Sequence, residues 1–351
     1  MIKGINKKNV WPIIALIALA GLNIAVAQEA APFTDISEGN KYFVSVKYLK
    51  ENGLITGYED GSFQPLKEIN RAEALKLLQM AVNPADSATS TPASAAVTSE
   101  PTPAISASAE SIVTTDKFSF DDIAKDSWYY PYILSAWKKG IVKGYPDGLF
   151  HPEQTINIAE SLKIVLEQEG KAIPEEVTAR PYGDVAPEAW FAPYAQVAKE
   201  RTLILESRNG GNLYPEKNMN RGDFAELIYR QIQSSKDYKF ARATWYSDSL
   251  SMQSTANREL YIPTNLTAAH KTLPFNTAVK VTNMANGKSV EVRINDRGPY
   301  PTGVDLDLSR SAFETIASAG TGIINVEFSI VQKETGEVPE TADTNIIEYG
   351  F

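Results

Sequence analysis

The chain has 351 residues, 43% hydrophobic and 22% charged, with 43 acidic against 34 basic side chains, two histidines and no cysteine. That length allows two or three domains, and the apolar fraction is enough for packed cores. Lack of cysteine excludes disulfide staples, zinc fingers, thiol nucleophiles and a lipid-modified N-terminal cysteine. Two histidines are too few for a transition-metal cluster, and a net charge of −9 is unsuited to nonspecific nucleic-acid binding. Neither a metal nor another cofactor is implied.

Lys3, Lys7 and Lys8 precede an apolar run from Val10 to Ala20, and Ala25-Val26-Ala27 supplies a small-x-small cleavage pattern. This predicts a signal peptide over residues 1–27 and an exported protein. Removing its three lysines leaves a charge of −12. No later stretch approaches about 18 consecutive apolar residues, so no further membrane span is expected.

Three internal repeats follow. Phe33-Thr34-Asp35-Ile36 recurs as Phe120-Asp121-Asp122-Ile123 and as Tyr182-Gly183-Asp184-Val185. Gly57-Tyr58-Glu59-Asp60-Gly61-Ser62-Phe63-Gln64-Pro65 recurs as Gly144-Tyr145-Pro146-Asp147-Gly148-Leu149-Phe150-His151-Pro152, and in decayed form at residues 209–215. Asn70-Arg71-Ala72-Glu73 recurs as Asn157-Ile158-Ala159-Glu160 and Asn220-Arg221-Gly222-Asp223. The first two copies are offset by 87 residues at every landmark. Each reads as helix, turn-rich loop, helix, with Asn and Glu three apart forming a capping box. One such unit cannot bury its own faces, so three should pack together. The repeats are expected over residues 28–82, 117–170 and 178–235. Between the first two, residues 83–116 are rich in Ser, Thr, Ala and Pro and read as a flexible linker. His151 lies in a repeat loop and is given no chemistry.

From Ala241 the apolar period changes to two. Val279 and Val281 form one run, Val290, Val292 and Ile294 another, and Asn286-Gly287 between them signals a hairpin. Val326, Phe328 and Ile330 mark a closing strand, and Ser309 caps a short helix toward Ala317. A mainly-β domain over residues 240–332 and an acidic tail over 333–351 are expected. The β domain carries eight bases and eight acids, so the acidity belongs to the repeats and tail.

The repeat signature, an F-x-D start, G-Y-x-D-G-x-F-x-P loop and closing N-R-A-E, resembles the S-layer homology domain. That resemblance implies a three-lobed all-α helical prism binding a secondary cell-wall polysaccharide, often pyruvylated. Trp128 and Trp190 stand at the family's aromatic position. Arg71 and Arg221 sit beside helix N-termini, where a guanidinium suits a ligand carboxylate. Ile158 replaces the arginine in the second repeat, which puts that groove in doubt.

The motifs Thr244-Trp245-Tyr246, Thr255-Ala256-Asn257-Arg258-Glu259, Leu266 to Phe275, Arg293-Ile294-Asn295-Asp296-Arg297-Gly298-Pro299-Tyr300 and Asp307-Leu308-Ser309-Arg310 resemble the rare lipoprotein A family. That family has a double-psi β-barrel and includes septal lytic transglycosylases. The resemblance implies Asp296, Glu259 and His270 as the catalytic group, and Trp245, Tyr246, Arg297 and Arg258 as substrate contacts. Asp296 would act as acid then base, Glu259 would stabilise developing charge and His270 would orient a carboxylate. Asp307 is expected to hold the strand-to-helix connection. Arg258 and Ser247 stand where the family has glycine. The expectation is an envelope-bound lytic transglycosylase acting on peptidoglycan glycan strands; a noncatalytic, expansin-like wall-loosening module is the alternative.

Overall fold

The computed structural model describes residues 31–82, 118–204, 211–301 and 303–331. The expected signal peptide, linker and acidic tail lie outside these residues.

The repeats supply six helices: α1 (Phe43–Glu51), α2 (Arg71–Val82), α3 (Tyr130–Lys138), α4 (Ile158–Glu169), α5 (Ala192–Glu200) and α6 (Arg221–Ser234). Each second helix starts from its asparagine cap. Glu73 N–H donates to Asn70 Oδ1 at 2.8 Å while Asn70 N–H donates to Glu73, and Asn157 and Glu160 repeat the exchange. In the third repeat Asn220 still caps, but the shorter Asp223 side chain accepts from Asn220 Nδ2 and from the Tyr42 hydroxyl instead. The F-x-D aspartates have a clear task. Asp35 accepts the N–H groups of Phe63 and Gln64, Asp122 those of Phe150 and His151, and Asp184 those of Leu213 and Tyr214. In each pair the second residue has φ between 55° and 58°, a conformation that needs outside support in a non-glycine residue.

The repeats interlock cyclically. Ile69 N–H bonds Met219 O, Met219 N–H bonds Ile156 O, and Ile156 N–H bonds Ile69 O, at 2.9–3.1 Å. All three side chains are buried. Outside this ring, Arg71 and Ala72 donate to the loop of the second repeat, Ile158 and Ala159 to that of the third, and Arg221 and Gly222 to that of the first. Packing follows the same order: α2 lies on α3, α4 on α5, and α6 on α1. Among the described residues, the second helix of each repeat packs on the first helix of the next. Gly222 is required by this arrangement, because the Tyr42 ring occupies the space a Cβ would need, 2.5 Å away.

The β domain has strands β1 (Lys239–Trp245), β2 (Thr267–His270), β3 (Ala278–Asn283), β4 (Ser289–Asp296), β5 (Leu306–Leu308) and β6 (Ile324–Ile330), with helix α7 (Arg310–Ile316) after β5. They close into a barrel in the order β1–β5–β2–β4–β3–β6. The pairs β1–β5 and β2–β4 are parallel and the others antiparallel. A closed six-stranded barrel of this kind is consistent with the double-psi expectation. Gly287, at φ 74°, turns the β3–β4 hairpin, and Ser309 caps α7 through Ala312 N–H. Alternating Val279, Val281, Val290, Val292, Ile294, Leu306 and Leu308 fill the interior.

Barrel and repeats share packing. Met284, on the hairpin, and Phe240, on β1, are buried in the helical core. Gly39 N–H donates to Ala285 O at 2.7 Å, and the Tyr229 hydroxyl donates to Glu327 at 2.6 Å across the junction. Burial raises the Glu327 carboxyl above its ordinary range.

Candidate active site and wall-binding grooves

The inward alternation of Val290, Val292 and Ile294 would carry Asp296 into the barrel. A bulge prevents this. Ala268 pairs with Ile294, but Ala269 pairs with Asp296, so Asn295 is the extra residue and Asp296 turns to the outer face. On the other side of β2, Ala269 is also level with Asp307, and Asp307 is level with Thr244 on β1. Thr244, Asp307, Ala269 and Asp296 therefore form one outward row across four strands, two carboxyls separated by a methyl group.

Asp296 Oδ1 accepts the N–H groups of Ala256 and Arg297, both at 2.8 Å, and Oδ2 accepts the Tyr246 hydroxyl at 2.7 Å. Burial, then the Asp296 hydrogen bond, pushes the Tyr246 phenol up, so it serves as a donor and is not ionised at neutral pH. Its ring lies 4.9 Å from that of Tyr261. Asp307 differs from Asp296. Its Oδ1 is buried with no hydrogen-bond partner among the described residues. Burial first, then the charge of Asp296, pushes its carboxyl up to about 7. The strand-to-helix connection expected of Asp307 is made by Ser309, whose hydroxyl takes up the helix cap.

Glu259 is bound in a fork by Arg293 (2.9 and 2.6 Å) and accepts from Asn295 Nδ2. The Arg293 pair holds its carboxyl down at about 2, so it is a fixed anion at neutral pH and no proton donor. It acts on the site through the turn it closes. Thr255 N–H bonds Glu259 O, Asn257 Oδ1 takes Glu259 N–H, and the same turn presents Ala256 N–H to Asp296. Arg258, exposed, has φ 74° in that turn, which is the physical reason a glycine suits the position. Ser247, at φ −60°, needs no such freedom and caps the short turn over Asp248–Leu250.

His270 does not join these groups. It neighbours Ala269 on β2, so its side chain faces away from Asp296 and packs 5.9 Å from Phe328. Nδ1 accepts the N–H groups of Thr272 and Leu273, which leaves the proton on Nε2 of the neutral ring. Burial lowers its pKa. Arg297 stacks 3.8 Å over Phe275 and donates to His270 O, tying the ends of β2 and β4 together. Trp245 packs beside Phe313, donates to Ala319 O and lies under Arg310. The fold thus gathers Asp296 and Tyr246, with Glu259 behind the turn, and adds Asp307, Tyr261 and Arg293, to which the sequence reading gave no such role. The lone acid between the two buried leucines of Leu306-Asp307-Leu308 was the available signal.

On the repeats, each arginine enters the loop of the next repeat. Arg71 stacks over Tyr145 and Phe150 and donates to Phe150 O, and Arg221 stacks over Tyr58 and Phe63 and donates to Phe63 O. Both are largely desolvated, which lowers their pKa. Trp128 and Trp190 are exposed by 49% and 56%, unusual for indoles and suited to stacking on sugar rings.

Residues 239–328 match the family described as lytic transglycolase. Residues 32–75, 119–160 and 181–225 match the S-layer homology domain. Three S-layer homology repeats precede a lytic-transglycolase barrel. The chain is 50% identical across 97 residues to a probable endolytic peptidoglycan transglycosylase RlpA of Synechocystis, covering 28% of this chain and 30% of that protein. It is 42% identical across 124 residues to the endolytic peptidoglycan transglycosylase RlpA of Vibrio cholerae, covering 34% and 47%. The chain thus spans less than half the length of either relative. Among solved structures, an expansin of Clavibacter michiganensis aligns at 24% identity over 28% of this chain and 52% of its own, with a TM-score of 0.22.

Proposed function

We propose that this is an exported, envelope-held lytic transglycosylase that cleaves the bond between N-acetylmuramic acid and N-acetylglucosamine in peptidoglycan, leaves 1,6-anhydro ends and prefers glycan stripped of stem peptides. The observation that carries the reading is Asp296, turned outward by the bulge and held by Ala256, Arg297 and Tyr246. Its placement leaves a carboxylate on the outer face of the barrel to accept the proton of the sugar's 6-hydroxyl as that oxygen attacks the anomeric carbon. Glu259 fixes the turn that holds Asp296. His270, neutral and locked by its own turn, positions the end of β2 next to the site. Tyr246 would contact the substrate beside Asp296, and Arg258 is exposed on the neighbouring turn, whereas Trp245 and Arg297 are held against Phe313 and Phe275.

The reading is tested by incubating the purified full chain with peptide-free glycan strands. Anhydro products are expected from the wild type, with a loss of at least about 100-fold in D296A. Strand binding without any cleavage would support the wall-loosening alternative instead.

The repeats would form the three-lobed prism that retains the protein on a secondary wall polysaccharide, one bearing pyruvate included. Arg221 is poised for this because its guanidinium is desolvated and bonded to loop carbonyls, so a ligand carboxylate would gain a charge-assisted contact; Arg71 is bonded in the same way but also lies 3.7 Å from Glu160, which a ligand carboxylate would have to displace or share. Trp128 and Trp190 offer sugar platforms without bearing on the core. Retention on wall sacculi should fall in a W128A, W190A double variant whose melting temperature is unchanged, and fall further when Arg71 and Arg221 become lysine.

A further inference from the structure

We infer that Asp307 is the proton donor of the cleavage reaction and that Asp296 is its separate, proton-accepting partner, so that two carboxyls share work that one aspartate would otherwise do in turn. The inference rests on the transglycosylase reading above. Its basis is the register of three strands. Asp307 and Asp296 are level with Ala269 from opposite sides, which places their Cα atoms about 10 Å apart, two strand spacings, with both side chains on one face. Ala269 contributes only a methyl group between them and is itself buried, so the reacting bond would lie above this row, against the partly exposed edges of the two carboxyls.

The two acids sit in unlike surroundings. Three donors converge on Asp296, as a carboxylate requires. Asp307 has a buried oxygen without a partner among the described residues. A neutral carboxylic acid tolerates that setting, and an anion does not. The same contrast appears in the upward shift of its carboxyl, to about 7. Pairs of carboxyls whose environments divide them in this way run acid and base chemistry at one pH.

The step balances as follows. The Asp307 carboxyl gives its proton to the glycosidic oxygen as the bond from that oxygen to the anomeric carbon breaks. The 6-hydroxyl oxygen of the same muramic acid residue bonds to the anomeric carbon, and its proton passes to Asp296. Asp307 ends ionised and Asp296 ends protonated. Exchange with solvent restores both, so no water is consumed.

The test compares peptide-free glycan strands with an aryl glycoside of N-acetylmuramic acid, whose leaving group departs without a proton. For D307N we expect at least about a 100-fold loss on strands with aryl glycoside turnover largely kept, whereas D296N loses both. Equal losses of D307N on the two substrates, or wild-type activity on strands, would overturn the assignment. The wild type gives a second readout that needs no variant. Its activity on strands should fall as pH rises through about 7, while that on the aryl glycoside should not; the same alkaline fall on both would also overturn it. An inactive wild type on strands rejects the transglycosylase reading itself, a different result from either.

Discussion

Two aspartates in one outward row differ because of what surrounds each carboxyl. Asp307 holds its proton to about pH 7 in the folded chain, whereas an unfolded aspartate releases it near pH 3.9. Between those values the native state binds more protons than the unfolded state, so Asp307 lowers stability progressively as pH rises from about 4 to 7. D307N removes this penalty. Its melting temperature should match the wild type near pH 4 and exceed it at pH 8; a constant difference across that range would show that Asp307 ionises normally. Glu259 runs the other way. Arg293 stabilises its anion, so that pair contributes above about pH 4.5 and is lost as pH falls toward 2. The pair is exposed and its contribution to stability is small. Its importance is the shape of the turn that aims Ala256 N–H.

At the level of elements, small irregularities decide where chemistry sits. A regular β4 would bury Asp296 among the valines of the barrel, and one extra residue, Asn295, places it outside. Ser309 then starts α7 immediately after β5, which fixes Asp307 at the last outward position before the helix. Among the repeats, the closing helices depend on their caps. Asn157→Ala removes the oxygen that takes Glu160 N–H and should cost about 1 kcal/mol of stability. Asn70→Ala should cost a similar amount, and a pair of chemical denaturation curves with unchanged slope would measure both. A cost near zero would mean that the cyclic hydrogen bonds around Ile69, Ile156 and Met219 hold the helix starts without the caps.

Over the whole molecule, the barrel and the repeats are coupled by a shared interior. Met284 and Phe240 belong to the barrel's chain segment but to the helical core, and Tyr229 bonds Glu327 between the two. A calorimetric scan should therefore show one transition for the described repeats and barrel together. M284D places a charge in that contact and should split the scan into two transitions, with the barrel's fold retained. A single transition in both proteins would place the coupling elsewhere. Because the junction is packed, the outward row bearing Asp296 is carried on the same packed unit as the repeats.

Sequence alone was enough for the repeat register, the asparagine caps, the Asn286-Gly287 hairpin and the Ser309 cap, because each rests on neighbours within a few residues. Fold type was legible for the same reason, from periods of 3.6 and 2. Tertiary structure decided the rest. The interlocking of each repeat with the next depends on hydrogen bonds between residues far apart in the chain, such as Ile156 to Met219. The distinct roles of Asp296, Asp307, Glu259 and His270 depend on which strand faces which, on a one-residue bulge and on burial. A carboxyl's chemistry is set by the dielectric and charges around it, and those are assembled only when distant segments meet.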